Sequence, residues 1–126
     1  MKTTLQSIIK SFGYAFDGIK YAIQTQKNMH IHIFIGLIVL FTSFLVNCSQ
    51  LEIAILFTII GLVISLEIMN TAIEVMINLV SPTNQPLAKI SKDLGAASVL
   101  IAAIVAVIVG LLILFPRLFH LLQLLR

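Results

Sequence analysis

The stretch IAILFTIIGLVISLEIMNTAIEVMINLV, residues 53–80, is the most informative about the fold because it is a long apolar run with polar groups toward one end. Residues 53–66 carry no charge, and four carboxylate or amide side chains then follow: Glu67, Asn70, Glu74 and Asn78. A helix of about 20 apolar residues spans a hydrocarbon core about 30 Å thick. The stretch therefore predicts a membrane helix whose polar end lies near the membrane surface.

The composition of the whole chain also indicates a membrane protein. Its 126 residues suit one domain; 60% are hydrophobic, 10% are charged, and the mean hydropathy is +1.11. Soluble domains usually contain about 25% charged residues. The net charge is +3, but Lys and Arg flank apolar segments and form no basic patch, which argues against nucleic-acid binding. Cys48 is the single cysteine, and LVNC lies too deep in the chain for a lipoprotein cleavage site.

Three apolar segments predict membrane helices at about residues 29–46, 51–80 and 87–115. Before them, residues 5–26 have apolar side chains at helical spacing and polar ones opposite, which predicts a helix lying in the membrane interface. Pro86 suits the first turn of the third membrane helix, and Pro116 is expected to end that helix. The predicted fold is an all-α membrane protein, a single domain over residues 1–126.

The distribution of positive charge predicts the orientation. Six lysines precede the first membrane segment or follow the second: Lys2, Lys10, Lys20, Lys27, Lys89 and Lys92. The loop between the first two segments has no Lys or Arg and carries Glu52. The positive-inside rule then places the N-terminus and the polar stripe at the cytoplasmic face of the plasma (inner) membrane, where ATP is available. Arg117 and Arg126 would lie outside, which weakens the rule slightly.

The four polar residues of the opening stretch are spaced by three or four, so they form one stripe on a helix. An ionised Glu facing lipid costs several kcal/mol, so this polar stripe must face a polar interior or a wet cleft. Two carboxylates two turns apart can do different work, because one can bind a cation while the other accepts a proton. A structural hydrogen-bond network between helices is the alternative.

A second charged group begins the third segment, across a short loop. Lys92 is a donor for phosphate, and Asp93 can bind a nucleotide hydroxyl, a metal-bound water or Lys89. An ordinary i,i+4 ion pair between Lys89 and Asp93 is the structural alternative. The loop is too short to hold Lys92 far from Glu74, and carboxylates beside a lysine suit Mg-ATP chemistry. The sequence has no Walker loop or kinase glycine loop, which excludes a soluble-type NTPase fold.

Small residues recur along the third segment at steps of three and four: Gly95, Ser98, Ala102, Ala106 and Gly110. Small side chains in such a row let helices approach closely in lipid. This small-residue seam predicts close helix packing, either within a protomer or between protomers.

Two segments carry a family resemblance. EIMNTAIEVMINL at 67–79, followed by AKISKDLGAASVLIAAI at 88–104, closely resembles the prokaryotic diacylglycerol kinase and undecaprenol kinase family. GYAFDGIKYAIQTQKNMHIH at 13–32 is similar to the N-terminal segment of that family. The resemblance implies a homotrimer in the bilayer, with a surface helix and three membrane helices per protomer. It also implies transfer of the γ-phosphoryl of Mg-ATP to a membrane lipid alcohol.

The resemblance further implies residue roles. Glu67 matches the catalytic base, Glu74 matches a metal-binding carboxylate, and four residues match the nucleotide site: Tyr14, Asn70, Lys92 and Asp93. Gln26 stands where the family usually has a second metal-binding Glu, and Asn78 where it usually has Asp. An amide oxygen can still ligate Mg²⁺ but neutralises no charge. The expectation is therefore a weak Mg²⁺ site at Glu74 and Gln26, with a degenerate non-catalytic protein as the competing interpretation.

The lipid is indicated by resemblance alone. QKNMHIHI at 26–33 and FPRLFHLL at 115–122 look more like undecaprenol kinases of Gram-positive type than diacylglycerol kinases of Gram-negative type. Undecaprenol is therefore the expected acceptor, and diacylglycerol is the alternative.

Overall fold

The computed structural model describes residues 2–81 and 85–124, and this part of the chain forms four helices. They are α1 (Lys2–Thr25), α2 (Lys27–Leu45), α3 (Gln50–Val80) and α4 (Pro86–Leu124). The all-α fold is confirmed, as is the start of α4 at Pro86. Arg126, the side chain of Lys2 and residues 82–84 of the second loop lie outside the described residues.

Helices α2, α3 and α4 are each long and apolar enough to cross a membrane. Most of their large apolar side chains are exposed in the isolated chain, which leaves little core for a soluble protein. Lipid is the environment that stabilises such a surface. The chain is therefore a membrane protein with an additional N-terminal helix.

Helix α1 is amphipathic and leaves its apolar side uncovered, with Ile9 and Phe12 more than 60% exposed. Toward its C-terminal end it meets the membrane helices, where Ala22 is buried. Gln26 then adopts an extended conformation, with φ −106° and ψ 116°, and separates α1 from α2. This break places Gln26 at the junction between the surface helix and the first membrane helix.

The turn between α2 and α3 is fixed by local hydrogen bonds. Asn47 has φ 52°, and the N–H groups of Asn47 and Cys48 donate to the carbonyls of Phe44 and Ser43, at 3.2 and 3.0 Å. This is a Schellman motif, in which Asn tolerates the left-handed conformation. Ser49 and Glu52 then form a capping box at the start of α3. The short connection makes α2 and α3 antiparallel neighbours.

Helix α4 packs along α3, and part of the small-residue seam forms that contact. Gly95 and Ala102 are buried in this seam, with Val99 between them. Gly36 on α2 also lies close to α3, because a Cβ there would lie 2.9 Å from Ile60 Cγ2. Ser98, in contrast, is exposed, so the seam is only partly used within one protomer.

The expectation that Pro116 ends the third membrane helix is wrong, because α4 continues through Pro116 to Leu124. An internal proline removes one backbone hydrogen bond and costs about 3 kcal/mol in an ordinary helix. An irregular backbone near lipid would leave more groups unpaired, so continuing the helix is less costly. The following residue is also held in place, since Arg117 Nη2 lies 2.8 Å from Glu52 Oε2.

Candidate active site

Four helix ends meet at one end of the bundle, which we call the site face. The α1–α2 junction, the last turns of α3 and the first turns of α4 lie there, because the helices run antiparallel. The polar stripe of α3 lies at this face. Gln26 and Lys92 are 66 residues apart in the sequence. In the fold each contacts the polar stripe, Gln26 at Glu74 and Lys92 at Asn78.

Glu67 is the most enclosed charged side chain of the site. It is 1% exposed, and neither carboxylate oxygen has a hydrogen-bond partner among the described residues. His32 on α2 and Glu74 on α3 interact with it electrostatically. Buried polar groups are normally paired, so an unpaired carboxylate in a membrane protein is a candidate for a functional group.

Glu74 receives two amide donors, one from its own helix and one from the α1–α2 junction. Gln26 Nε2 donates to Glu74 Oε2 at 3.1 Å, and Asn70 Nδ2 donates to Glu74 Oε1 at 3.4 Å. The structure therefore brings together the two residues expected to hold Mg²⁺. Within residues 2–81 and 85–124 no three His, Cys, Asp or Glu side chains form a metal-binding group. One carboxylate plus an amide meets the lower limit of what Mg²⁺ uses when phosphate oxygens complete its coordination.

Lys92 reaches back from α4 to the polar stripe of α3. Its Nζ donates to Asn78 Oδ1 at 2.6 Å, one helical turn beyond Glu74. Asp93, the next residue, is exposed. The alternative ion pair between Lys89 and Asp93 is not formed, since the salt bridge within the described chain joins Arg117 and Glu52. Lys92 thus contacts the polar stripe at Asn78, and its closeness to Glu74 stays a prediction.

Tyr14 is the predicted site residue that a single chain does not bring to the others. It lies on α1 and is 73% exposed. Its hydroxyl makes no hydrogen bond within the described residues. A nucleotide role for Tyr14 therefore depends on a bound ligand or on a neighbouring protomer.

An apolar groove of about 420 Å³ runs between α2, α3 and α4. It is lined by His32 and Val63 toward the site face and by Phe115 and Leu118 toward the other face. Val63 lies one turn before Glu67, so the groove leads from the hydrocarbon region toward the buried carboxylate. Sequence reasoning missed it, although Ala106 and Gly110 of the small-residue seam line it.

Comparison with known proteins shows the family to which the chain belongs. Residues 13–114 match the model of prokaryotic diacylglycerol kinase, so the chain belongs to that family and is a membrane lipid kinase. It is 42% identical over 116 residues to a diacylglycerol kinase of Synechocystis sp., covering 91% of this chain but 66% of that protein. It is 39% identical over 117 residues to the undecaprenol kinase of Bacillus subtilis, covering 93% and 95%. A diacylglycerol kinase of Haemophilus influenzae is 30% identical, over 90% and 98%.

Proposed function

We propose that this lipid kinase transfers the γ-phosphoryl of ATP to the hydroxyl of undecaprenol. The proposed chemistry rests on Glu67, a buried carboxylate without a hydrogen-bond partner among the described residues. This carboxylate lies one helical turn from the inner end of the apolar groove. The choice of lipid is supported by 39% identity to an undecaprenol kinase over nearly the full length of both chains. A lipid lying along the groove would present its hydroxyl near the site face.

The roles follow from what each group can do. Glu67 accepts the proton of the lipid hydroxyl as that oxygen attacks the γ-phosphorus and the bond from the γ-phosphorus to ADP breaks, a role that needs a base within hydrogen-bond reach. Lys92 offers positive charge to the phosphates, and Asn70 and Asp93 contact the nucleotide from α3 and α4. Glu74 and Gln26 would hold Mg²⁺, which neutralises phosphate charge when bound. Tyr14 would reach the nucleotide in a homotrimer, from a neighbouring protomer.

The location of the site fits two substrates that arrive from different phases. The site face lies where apolar helices end, so a membrane lipid and a soluble nucleotide can both reach it. Lys27, Lys89 and Lys92 lie in the first turns of α2 and α4, at this face, which favours the cytoplasmic side of the plasma membrane. ATP is then the phosphoryl donor on that side.

Diacylglycerol is the second candidate acceptor, supported by 42% identity to the Synechocystis diacylglycerol kinase. The test is phosphoryl transfer from labelled ATP by the purified chain in mixed micelles, with each lipid alone and both in competition. A higher kcat/KM for undecaprenol is the expected result. A preference for diacylglycerol overturns the choice of lipid, and transfer to either lipid no greater than in micelles without protein overturns the enzymatic role.

A further inference from the structure

Helices α3 and α4 approach each other closely where Asn70 meets Gly95. A Cβ added at Gly95 would overlap Oδ1 of Asn70, and it would lie 3.4 Å from Asn70 Cγ and 3.8 Å from Ile73 Cδ1. The glycine hydrogen in that position therefore points at the amide oxygen. Cα–H···O contacts of this kind recur at helix–helix interfaces and are weakly favourable.

The surroundings of Asn70 fix which way its amide faces. The residue is 5% exposed, and its Oδ1 has no conventional hydrogen-bond partner among the described residues. Its Nδ2 donates to Glu74 Oε1 at 3.4 Å. Turning the amide over would place its oxygen against the carboxylate and its N–H groups against the glycine hydrogen. Glu74 on one side and Gly95 on the other thus favour the same orientation.

We propose that Gly95 is a positioning residue of the kinase. By lacking a side chain, it leaves room for the Asn70 amide to donate to Glu74. Asn70 and Gln26 then hold one oxygen each of the same carboxylate. This inference rests on the proposed function, because it gives Gly95 an effect on turnover through the site residue Glu74.

The kinetic test compares Gly95→Ala with a matched control, Gly61→Ala. Both glycines lie inside helices, where Ala has the higher helix propensity, and a Cβ at Gly61 meets nothing within 4 Å. Gly95→Ala should lower kcat by about 10- to 100-fold, the size of effect expected from misplacing a catalytic group. KM for the lipid should not change, because Gly95 does not line the groove. Wild-type kcat in Gly95→Ala would overturn the proposal.

The contact itself is tested by unfolding midpoints in detergent, which do not depend on activity. Gly95→Ala should lower the midpoint in the native background but not in Asn70→Ala, where the space is free for the new methyl group. An equal loss in both backgrounds would overturn the contact. Should Gly95→Ala not fold while the double variant does, the clash is supported. The kinetic test is then made with Asn70→Asp, which keeps the shape of the Asn70 side chain but removes the N–H that donates to Glu74. A wild-type kcat in Asn70→Asp would overturn the positioning role.

These two measurements separate the inference from the proposed function. If the chain phosphorylates neither lipid, the proposed function and the positioning role both fail, while the midpoints still decide whether Asn70 and Gly95 are coupled. If the chain is active and only the coupling is missing, the proposed function stands and the inference fails.

Discussion

At the scale of single residues, the burial of Glu67 is the most consequential feature. Its carboxylate has no hydrogen-bond partner among the described residues, and burying such a group is costly unless it serves a function. Glu67→Gln keeps the shape and removes the base. We expect kcat to fall about 10²- to 10⁴-fold, the usual contribution of a general base, while KM for Mg-ATP changes little. Steady-state kinetics with either lipid checks this.

The unfolding midpoint of Glu67→Gln serves as its control. A neutral amide has a smaller desolvation cost than a carboxylate, so the variant should be at least as stable as the native chain. Turnover close to that of the native chain would remove Glu67 from the role of base.

Gln26 contacts the carboxylate of Glu74, and the sequence resemblance implies a glutamate at this position in most of the family. Gln26→Glu would place a second carboxylate where an amide now donates to Glu74 at 3.1 Å. Two like charges repel unless a cation lies between them, so the variant should be less stable without Mg²⁺ and gain more stability from it. The Mg²⁺ concentration that gives half-maximal activity should be lower for Gln26→Glu than for the native chain. Glu74→Gln in the native background should nearly abolish activity.

Two readouts check this prediction: the unfolding midpoint and lipid phosphorylation, each measured against free Mg²⁺ for the three proteins. An unchanged Mg²⁺ dependence of both readouts in Gln26→Glu would mean that Gln26 is not a metal position. The alignment of residues 13–32 with the N-terminal segment of the family would then be wrong at Gln26.

At the scale of helices, the sequence predicts the elements well and their contacts poorly. Apolar length and amphipathic spacing predict the three membrane helices and α1, and Pro86 marks the start of α4. The polar stripe follows from helical period alone. The hydrogen bond from Gln26 to Glu74 and the closeness of Asn70 to Gly95 depend on how helices cross, which no local pattern encodes. The prediction that Pro116 ends the helix was wrong because losing one backbone hydrogen bond at the proline is less costly than an irregular backbone near lipid.

The salt bridge between Arg117 and Glu52 joins the end of α4 to the start of α3, at the face opposite the site. Arg117→Ala should lower the unfolding midpoint, because it frees the last turns of α4 while leaving the Ser49–Glu52 capping box intact. The effect should be modest and should shrink as salt is added, since both side chains are partly exposed and screened.

Thermal unfolding at low and high ionic strength measures that difference, with Arg117→Lys as the conservative comparison. Arg117 also donates through Nε to Glu52 Oε1 at 3.3 Å, a two-point contact that Lys cannot make. A midpoint for Arg117→Ala equal to that of the native chain at low salt would show that the bridge does not stabilise α4.

At the scale of the whole molecule, the two ends of the bundle are chemically different. The site face gathers the polar stripe, Lys89 and Lys92, and the α1–α2 junction with Lys27. The opposite face has the Schellman turn, the capping box and the Arg117–Glu52 bridge. Within the described part of the chain, one end thus holds a carboxylate without a hydrogen-bond partner and a carboxylate bound by two amides, and the other end holds local caps and an ion pair. Because the two ends differ in this way, the proposed function requires that the site face lie on the cytoplasmic side of the membrane.

Cys48 makes that orientation measurable, because it is the single cysteine of the sequence and lies in the α2–α3 turn, at the face opposite the site. If the site face is cytoplasmic, a membrane-impermeant maleimide should label Cys48 in right-side-out vesicles without permeabilisation. Burial raises the pKa of the Cys48 thiol, and Glu52 raises it further while Arg117 opposes the shift. The reactive thiolate is therefore scarce at neutral pH, and labelling should speed up as the pH rises toward that pKa.

The matched control moves the thiol to the other face. Cys48→Ser combined with Ser91→Cys places an exposed thiol in the first turns of α4, beside Lys92. That variant should label only after permeabilisation, at every pH at which Cys48 labels directly. The reverse pattern, with the α4 thiol labelled in sealed vesicles and Cys48 protected, would place the site face outside. ATP could not then reach Glu74 and Lys92 from the cytoplasm, and the proposed kinase reaction would fail with the orientation.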